Sequence, residues 1–322
     1  MNKERSDKAS ISLDMDNQWS YMKTHGDSEW NQFPSYLDTF VPHVLDLLDD
    51  LKIKITFFIV GQDAALEKNR AVLSELTRKG HEVGNHSFHH EVWMHRGQTE
   101  SIRDEIQLAQ DHIFKATGQI PVGYRGPGFT WSPRLLKVLA GANFRYDAST
   151  LPTFLGPLAR KYYFWKADLS SEQKKKRTDI YGDLKDGLRP GKPYYWQLDH
   201  TSQLLEIPVS TIPVLKTPFH LSYLIYLSRF SELLMKYYLL LAIALCKLAS
   251  SGPSFLLHPL DLIGGDLLPG LEFFPGMDLS TSRKVDLFNK VLGILAKHYH
   301  LVTMSQHADH VLAGQKVQTR CP

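Results

Sequence analysis

Apolar and polar positions alternate at first, Ile11-Ser12-Leu13-Asp14-Met15-Asp16, and this period of two predicts a strand with acidic residues at its C-terminal end, followed by a polar loop. Leu37, Val41, Val44, Leu45, Leu47 and Leu48 then recur at helical spacing, and Lys54 to Gly61 is an apolar run closed by glycine, the pattern of a buried parallel strand. The alternation continues with an amphipathic helix stopped by Gly80, a strand running from His81 into a histidine cluster at His90, and a helix stopped by Gly118. The segment Val122 to Phe129, a helix over 132–142 and a short strand over 144–150 complete it. Strict β/α alternation predicts an α/β fold with a parallel sheet, and its regularity over the first 150 residues predicts barrel-like closure. The rhythm breaks near Leu151. Residues 152–203 are rich in Pro and Gly and hold the basic run Lys174 to Arg177, which reads as a solvated loop. A strand over 204–211, a helical insert over 218–250, a late strand over 254–262 and a closing helix over 282–300 follow.

The stretch Leu233 to Leu248 is almost wholly apolar, yet at 16 residues with Lys236 and Lys247 inside it falls short of the roughly 20 that a spanning helix needs. It reads either as a buried helix or as an apolar lip meeting acyl or polyprenyl lipid. Composition narrows the class further. With 43% hydrophobic and 22% charged residues in 322 positions, the chain is neither disordered, collagen-like nor coiled coil, and one large core is within its reach. Lys plus Arg number 37 against 34 Asp plus Glu, a balance too close to zero to signal a nucleic-acid binder by bulk charge, and no nucleic-acid partner is expected. Cys246 and Cys321 form neither a disulfide framework nor a thiolate zinc knuckle. The first ten residues carry charges without an apolar run, so no secretory leader is expected. The expected location is cytoplasmic, with peripheral contact at the inner face of the membrane through 233–248.

In parallel α/β folds the reactive groups sit on the loops after the strands. Those positions hold Asp14 and Asp16, His86 and His90, the run Arg125-Gly126-Pro127-Gly128, and His258. Each has an ordinary reading by itself: turn-capping acids, surface histidines, a structural ion pair, a satisfied core histidine. Together they say more. Two imidazoles and a carboxylate are enough to hold a metal ion with positions left for water. Two adjacent carboxylates repel unless a cation neutralises one, so a metal-bound Asp beside a basic Asp is a sensible pairing. The guanidinium fork of Arg125 suits a carboxylate, Gly128 lets a backbone N–H approach a ligand, and His258 lies in an apolar setting that tunes an imidazole for proton transfer.

These segments resemble the polysaccharide deacetylase family, also called the NodB-homology or carbohydrate esterase 4 family. SLDMDN is similar to its first motif in a D-x-D variant, GHEVGNHSFHH to its H-[ST]-x-x-H metal motif, YRGPGF to its arginine-proline motif and FLLHP to its late leucine-histidine motif. The resemblance implies a distorted (β/α)7-type barrel, one domain over 1–322 with an irregular and helical elaboration at about 152–250. It implies that Asp14 is the general base, that Asp16, His86 and His90 bind a divalent metal, most simply Zn2+, and that Arg125 positions Asp14. Gly128 and Phe129 are then the oxyanion and substrate positions, and His258 is the general acid. The family's Asp-Trp fourth motif is missing, which leaves Asp147 or Glu206 to orient His258. The implied activity is metal-dependent hydrolysis of N-acetyl groups on an amino-sugar glycan or lipid-linked sugar, releasing acetate. The alternatives are an amidase or imidase acting on a non-sugar C–N bond, and a carbohydrate-binding protein without catalysis.

Overall fold

The alternating first segment forms strand β1 (Lys8–Met15), but both of its faces are buried. Ala9, Ile11, Leu13 and Met15 pack outward into the main apolar core, while Ser10, Ser12 and Asp14 face the other way and find polar partners. The period of two therefore separates an apolar outer layer from a polar barrel interior rather than core from solvent. The computed structural model describes residues 7–166, 169–178, 180–314 and 317–322. Met1 to Ser6, most of the segment read as lacking a leader, and residues 167, 168 and 179 of the basic region lie outside the described residues.

What read as a polar loop after β1 contains helix α1 (Gln18–His25), which the Asn17 side chain caps by accepting the Gln18 N–H. Helix α2 (Leu37–Asp50) buries Leu37, Phe40, Val41, Val44, Leu45 and Leu48. Strand β2 (Thr56–Ile59) leads into the short helix α3 (Gly61–Ala65) and then α4 (Glu67–Arg78). Strand β3 (Glu82–Asn85), helix α5 (Thr99–Thr117), the two-residue strand β4 (Gly123–Tyr124), helix α6 (Pro133–Gly141) and the two-residue β5 (Tyr146–Asp147) complete the regular half. Gly80 and Gly118 end α4 and α5 with φ of +80° and +74°, as their positions in the sequence predict.

The 152–203 stretch is more ordered than its Pro and Gly content suggests. It holds helices α7 (Gly156–Lys166) and α8 (Ser171–Lys176), so most of the basic run is helical, and strand β6 (Tyr194–Gln197). Strand β7 (Gln203–Glu206) pairs antiparallel with β6 and parallel with β5, which makes part of the supposed elaboration an integral strand of the sheet. Helices α9 (Leu221–Ser228) and α10 (Glu232–Leu248) form the helical insert. Strand β8 (Ser254–Leu257), helix α11 (Thr281–His298), strand β9 (His300–Val302), helix α12 (Met304–Gly314) and strand β10 (Gln318–Arg320) follow.

The sheet order is β10-β6-β7-β5-β4-β3-β2-β1-β8, with β9 also on β1, and every pairing except β6 with β7 is parallel. Among the described residues β7 and β8 do not pair as strands; past the end of β7 the Ser210 N–H donates to the Ser254 carbonyl at 3.0 Å and bridges the gap between them. The floor of this barrel is polar and closed: the Glu82 carboxylate accepts from Thr56 Oγ1 (2.6 Å), Tyr146 Oη (2.8 Å) and both the N–H and Oγ of Ser305 in the first turn of α12 (2.9 and 2.5 Å). An anion at a helix N-terminus is favoured by the aligned peptide dipoles. The opposite rim collects the ends of β1, β3, β4, β5 and β8.

Helix α10 is only half buried. Met235, Leu239, Ala242, Ile243 and Cys246 face the core, while Leu233, Leu234, Tyr237, Leu241 and Leu248 are exposed. Among the described residues no helix is long and apolar enough to cross a membrane. Both cysteines are free thiols, and burial pushes that of Cys246 up to about 12.

Candidate metal centre and active site

The two acids at the end of β1 have different neighbours. Asp14 is still in the strand and points into the barrel, where Arg125 Nη1 meets its Oδ1 at 2.6 Å. Arg125 is fully buried; it also donates from Nη1 to Ser12 Oγ (2.9 Å) and from Nε to the Ala148 carbonyl (3.1 Å), and it lies 4.3 Å over the Phe58 ring. A guanidinium held at so many points fixes the carboxylate it pairs with. Asp16, one residue beyond the strand, turns to the histidines. Its Oδ1 lies 2.8 Å from His90 Nε2 and 3.7 Å from His86 Nε2, and one ligand atom from each residue falls within 4.8 Å of the others.

His86 and His90 do not meet by a helical turn, as their spacing suggests. Ser87 and His90 adopt left-handed backbone conformations (φ +60° and +54°), so the segment folds into a tight loop that brings the rings to 5.0 Å between centroids. Several bonds hold the loop. Gly61 and Gln62 N–H donate to the Ser87 and Phe88 carbonyls (2.8 and 3.0 Å), and Glu105 of α5 accepts the Phe88 and His89 N–H groups (3.0 and 2.7 Å). His86 Nδ1 donates to the Arg125 carbonyl at 2.7 Å, which leaves Nε2 as the free lone pair. Gly61 is required by space: a Cβ there would stand 2.6 Å from the Phe88 ring and 2.7 Å from the Ala109 Cα. Gly61→Ala is expected to cost about 1–3 kcal/mol through overpacking and to lower Tm by several degrees in a thermal melt; an unchanged Tm would show that α3 and α5 can separate.

The charges follow from these contacts. Burial alone would raise the Asp16 pKa, but His90, then His86 and His258, outweigh it and hold the carboxyl down to about 2. Burial lowers the His86 pKa and favours the neutral ring that a metal ion requires. The buried Asp16 Oδ1 and His90 Nε2 are 2.8 Å apart yet make no well-oriented hydrogen bond. Lone pairs that converge without bonding one another, from one carboxylate and two imidazoles, fit a divalent ion of the zinc type.

His258, directly after β8, has a partner that the sequence reading missed. Asp261 Oδ2 accepts the His258 backbone N–H at 2.9 Å and lies 3.7 Å from its Nδ1, while Ser222 Oγ stands 3.4 Å from the same nitrogen. Burial would lower the His258 pKa, but the bond and charge of Asp261, with Asp14 and Asp16 beyond, raise it to about 9. The signal was available, since an acid three residues after a helix-entry position is the spacing of a capping box, which His258 and Asp261 form. Asp147 and Glu206 have another role. Asp147 accepts from Ser149 Oγ (2.5 Å), and Glu206 accepts from Thr150 Oγ1 (2.6 Å) and Trp196 Nε1 (3.1 Å). Burial raises both carboxyls; Asp147 pushes Glu206 further up, while the bond with Glu206 pulls Asp147 down without outweighing its burial. The expectation that one of them orients His258 is corrected: among the described residues the carboxylate on that ring is Asp261.

Gly128 has φ of +63°, and a Cβ would stand 2.8 Å from Ile180, so no other residue fits without displacement. The Phe129 N–H is engaged, donating to the Gly126 carbonyl at 3.0 Å. A further missed residue is Asp63. Its Oδ1 accepts from Asn17 Nδ2 (2.7 Å) and Trp19 Nε1 (2.9 Å), which pins the turn that presents Asp16, and burial raises its pKa to about 6.

Residues 6–146 match the profile of the family described as polysaccharide deacetylase. That segment belongs to the polysaccharide deacetylase family. It contains Asp14, Asp16, His86, His90 and Arg125, whereas His258 lies beyond it. The chain is 28% identical over 107 residues to a peptidoglycan-N-acetylglucosamine deacetylase of Bacillus cereus, covering 33% of this chain and 48% of that protein. It is 30% identical over 103 residues to the peptidoglycan-N-acetylmuramic acid deacetylase PdaA of Bacillus subtilis, covering 32% and 38%. It is 27% identical over 153 residues to a peptidoglycan deacetylase of Helicobacter pylori, covering 47% of each. The chain thus spans less than half the length of these relatives. Among solved structures, one assigned as a polysaccharide deacetylase from Mycobacterium smegmatis superposes with a TM-score of 0.60 over 99% of this chain and 95% of that one at 17% identity, which establishes the family fold along the chain.

Proposed function

We propose that the protein is a metal-dependent deacetylase that removes N-acetyl groups from an amino-sugar glycan and releases acetate. One observation carries the reading: an Asp locked to a buried Arg, a His raised by its own Asp, and a carboxylate with two imidazoles converging on one point all lie on a single rim of the barrel. Supporting it, the relatives named above act on peptidoglycan sugars, and another, at 30% identity over 102 residues, is named a chitooligosaccharide deacetylase.

Asp16, His86 and His90 would hold the ion, with zinc the best fit to one oxygen and two nitrogen donors. When bound, such an ion polarises a carbonyl and acidifies water. Asp14, oriented by Arg125, takes the proton of the attacking water. The Gly128 amide would donate to the developing oxyanion. His258, protonated at neutral pH, gives its proton to the amine nitrogen, which would otherwise leave as an amide anion. Asp261 keeps the imidazole charged and turned toward that proton transfer.

The test is acetate release from N-acetylglucosamine oligomers by the metal-loaded protein, run beside cyclic ureides and imides as competing substrates. Release from the sugars alone supports the proposal, and turnover of the imides alone replaces it. Chelation is expected to abolish turnover and zinc to restore it. His86→Ala or His90→Ala should leave less than one tightly held zinc per chain in elemental analysis; full zinc retention in both would move the metal site elsewhere.

A further inference from the structure

We propose that Lys284, in the first turn of α11, is a positioning residue for the general acid: it fixes the turn after β8 and through that turn sets the Asp261 carboxylate against His258. The inference rests on the deacetylase reading for the role of His258, but its first test does not depend on turnover. Lys284 is 1% exposed, and its Nζ donates to the Leu260 carbonyl at 2.7 Å and to the Ile263 carbonyl at 2.9 Å, with Met277 Sδ at 3.6 Å in the third direction. An ammonium has three N–H donors, and here each has a partner. Lys284 therefore has nothing left to offer a substrate and acts through the backbone it holds.

The two carbonyls bracket Asp261. Within the turn the Asp261 N–H donates to the His258 carbonyl (3.0 Å), and the Leu262 and Ile263 N–H groups both donate to the Pro259 carbonyl (2.9 and 3.2 Å). The carbonyls of His258 and Pro259 are thus satisfied inside the turn, whereas those of Leu260 and Ile263 go to Lys284. The Leu260 carbonyl shares one planar peptide unit with the Asp261 N–H, so a bond to one fixes the other. Asp261 is itself buried, and its Oδ2 accepts the His258 N–H at 2.9 Å and lies 3.7 Å from Nδ1; a rotation of that peptide would swing the oxygen away. The same helix turn secures the segment further on. Thr281 Oγ1 accepts the Gly264 N–H (2.9 Å), and Asp266 Oδ1 accepts the N–H and Oγ1 of Thr281 (both 2.8 Å).

A lysine is a poor choice for a position that only needs filling. A cation in the first turn of a helix meets the positive end of the peptide dipoles, and burying an ammonium is less favourable than burying an apolar side chain of the same length. Asp261, Asp278 and Asp266 act on Lys284 through their charge, but burial outweighs them and lowers its pKa to about 8. What an apolar side chain cannot supply is a pair of donors to the carbonyls on either side of a functional carboxylate. The other groups that face His258 are Asp14 and Asp16 from the end of β1, and His220 and Ser222 from the start of α9. Among the described residues Lys284 bonds none of these, so its effect on the imidazole runs through Asp261.

The experiment uses the full-length, metal-loaded protein with isotope-labelled histidine and follows the His258 ring by NMR through a pH titration. In the wild type the ring should titrate at about 9. Lys284→Met keeps the length of the side chain but none of its donors. It should move that titration to lower pH by about half a pH unit or more, and the alkaline limb of kcat with it, while KM and zinc content hold. In an Asp261→Asn background the same substitution should add nothing, because residues that act through one contact are not additive. Lys284→Gln keeps two N–H donors and should recover part of the shift; it is read by the same double-mutant cycle if the methionine variant does not fold. A His258 titration that stays at the wild-type value in the folded variant, with or without a lower Tm, overturns the role and leaves Lys284 as core support. So does a shift of equal size in both backgrounds. Coupled shifts in a protein that releases no acetate would keep the positioning role and overturn the deacetylase reading instead.

Discussion

Asp14→Asn is expected to lower acetate release by about 10²–10⁴-fold, the usual contribution of a positioned general base, while zinc content stays at the wild-type level. Asparagine keeps the shape of Asp14 and an oxygen for Arg125 Nη1, now 2.6 Å from the carboxylate, but it cannot take a proton. Asp14 is not part of the Asp16, His86 and His90 cluster, so metal retention separates loss of the base from collapse of the site. Circular dichroism should show the fold intact. Activity near that of the wild type would place the base elsewhere. Arg125→Met gives the complementary result: it leaves the carboxylate of Asp14, 3% exposed, without its cation, and breaking such a buried pair costs about 3–5 kcal/mol. The Arg125 variant should therefore fail first as a folding defect, the Asp14 variant as a catalytic one.

His258→Gln should cost a similar 10²–10⁴-fold, and the pH profile identifies why. With its pKa raised to about 9, His258 is protonated at neutral pH, so the rate should decline as pH rises through about 9. Asp261→Asn removes the carboxylate charge and bond that raise it, while burial, which lowers it, remains. The alkaline limb of that variant should move down by about a pH unit or more, each unit being about 1.4 kcal/mol of differential interaction. Loss of activity at pH 8 with recovery at pH 6 is the expected signature, and a uniform loss at every pH would show that Asp261 serves folding alone. Stability follows the same linkage. A histidine whose folded pKa lies above the unfolded value stabilises the protein fully below about pH 6.5, and that contribution disappears as pH climbs through about 9.

The residues that could be read from the sequence are those whose chemistry is local to a strand end. Asp14, Asp16, His86, His90, Arg125 and His258 each follow an apolar run that is legible as a strand, and the topology of a parallel barrel sends all of them to one rim. Partners that arrive from distant segments were not legible. Asp63 lies 46 positions from the Asn17 it fixes, and Glu105 reaches the histidine loop from the middle of a helix whose periodicity marks it only as a polar position. Asp261 was hidden differently, by sitting inside the apolar run Pro259-Leu260-Asp261-Leu262, where an acid is easily taken for a surface residue. Helix α1 escaped because its apolar positions do not gather on one face, and its stability comes from the Asn17 cap and from packing of Trp19, Tyr21 and Met22. Strand β6 escaped for a related reason, since it is ordered by antiparallel pairing with β7 rather than by any pattern of its own.

The floor built around Glu82 sets the order in which the molecule can be completed during synthesis. Thr56 receives the Met304 N–H across 248 positions, and Ser305 closes on Glu82 across 223. A nascent chain that has exposed Asp14, Asp16 and the histidine loop still lacks the two Ser305 donors to Glu82, and β1 still lacks both β8 and β9. These long-range pairings form only after residues 300–305 have been synthesised. Folding is therefore expected to be slow, with the rim that carries Asp14, Asp16 and the two histidines completed only after α12 has docked beneath it.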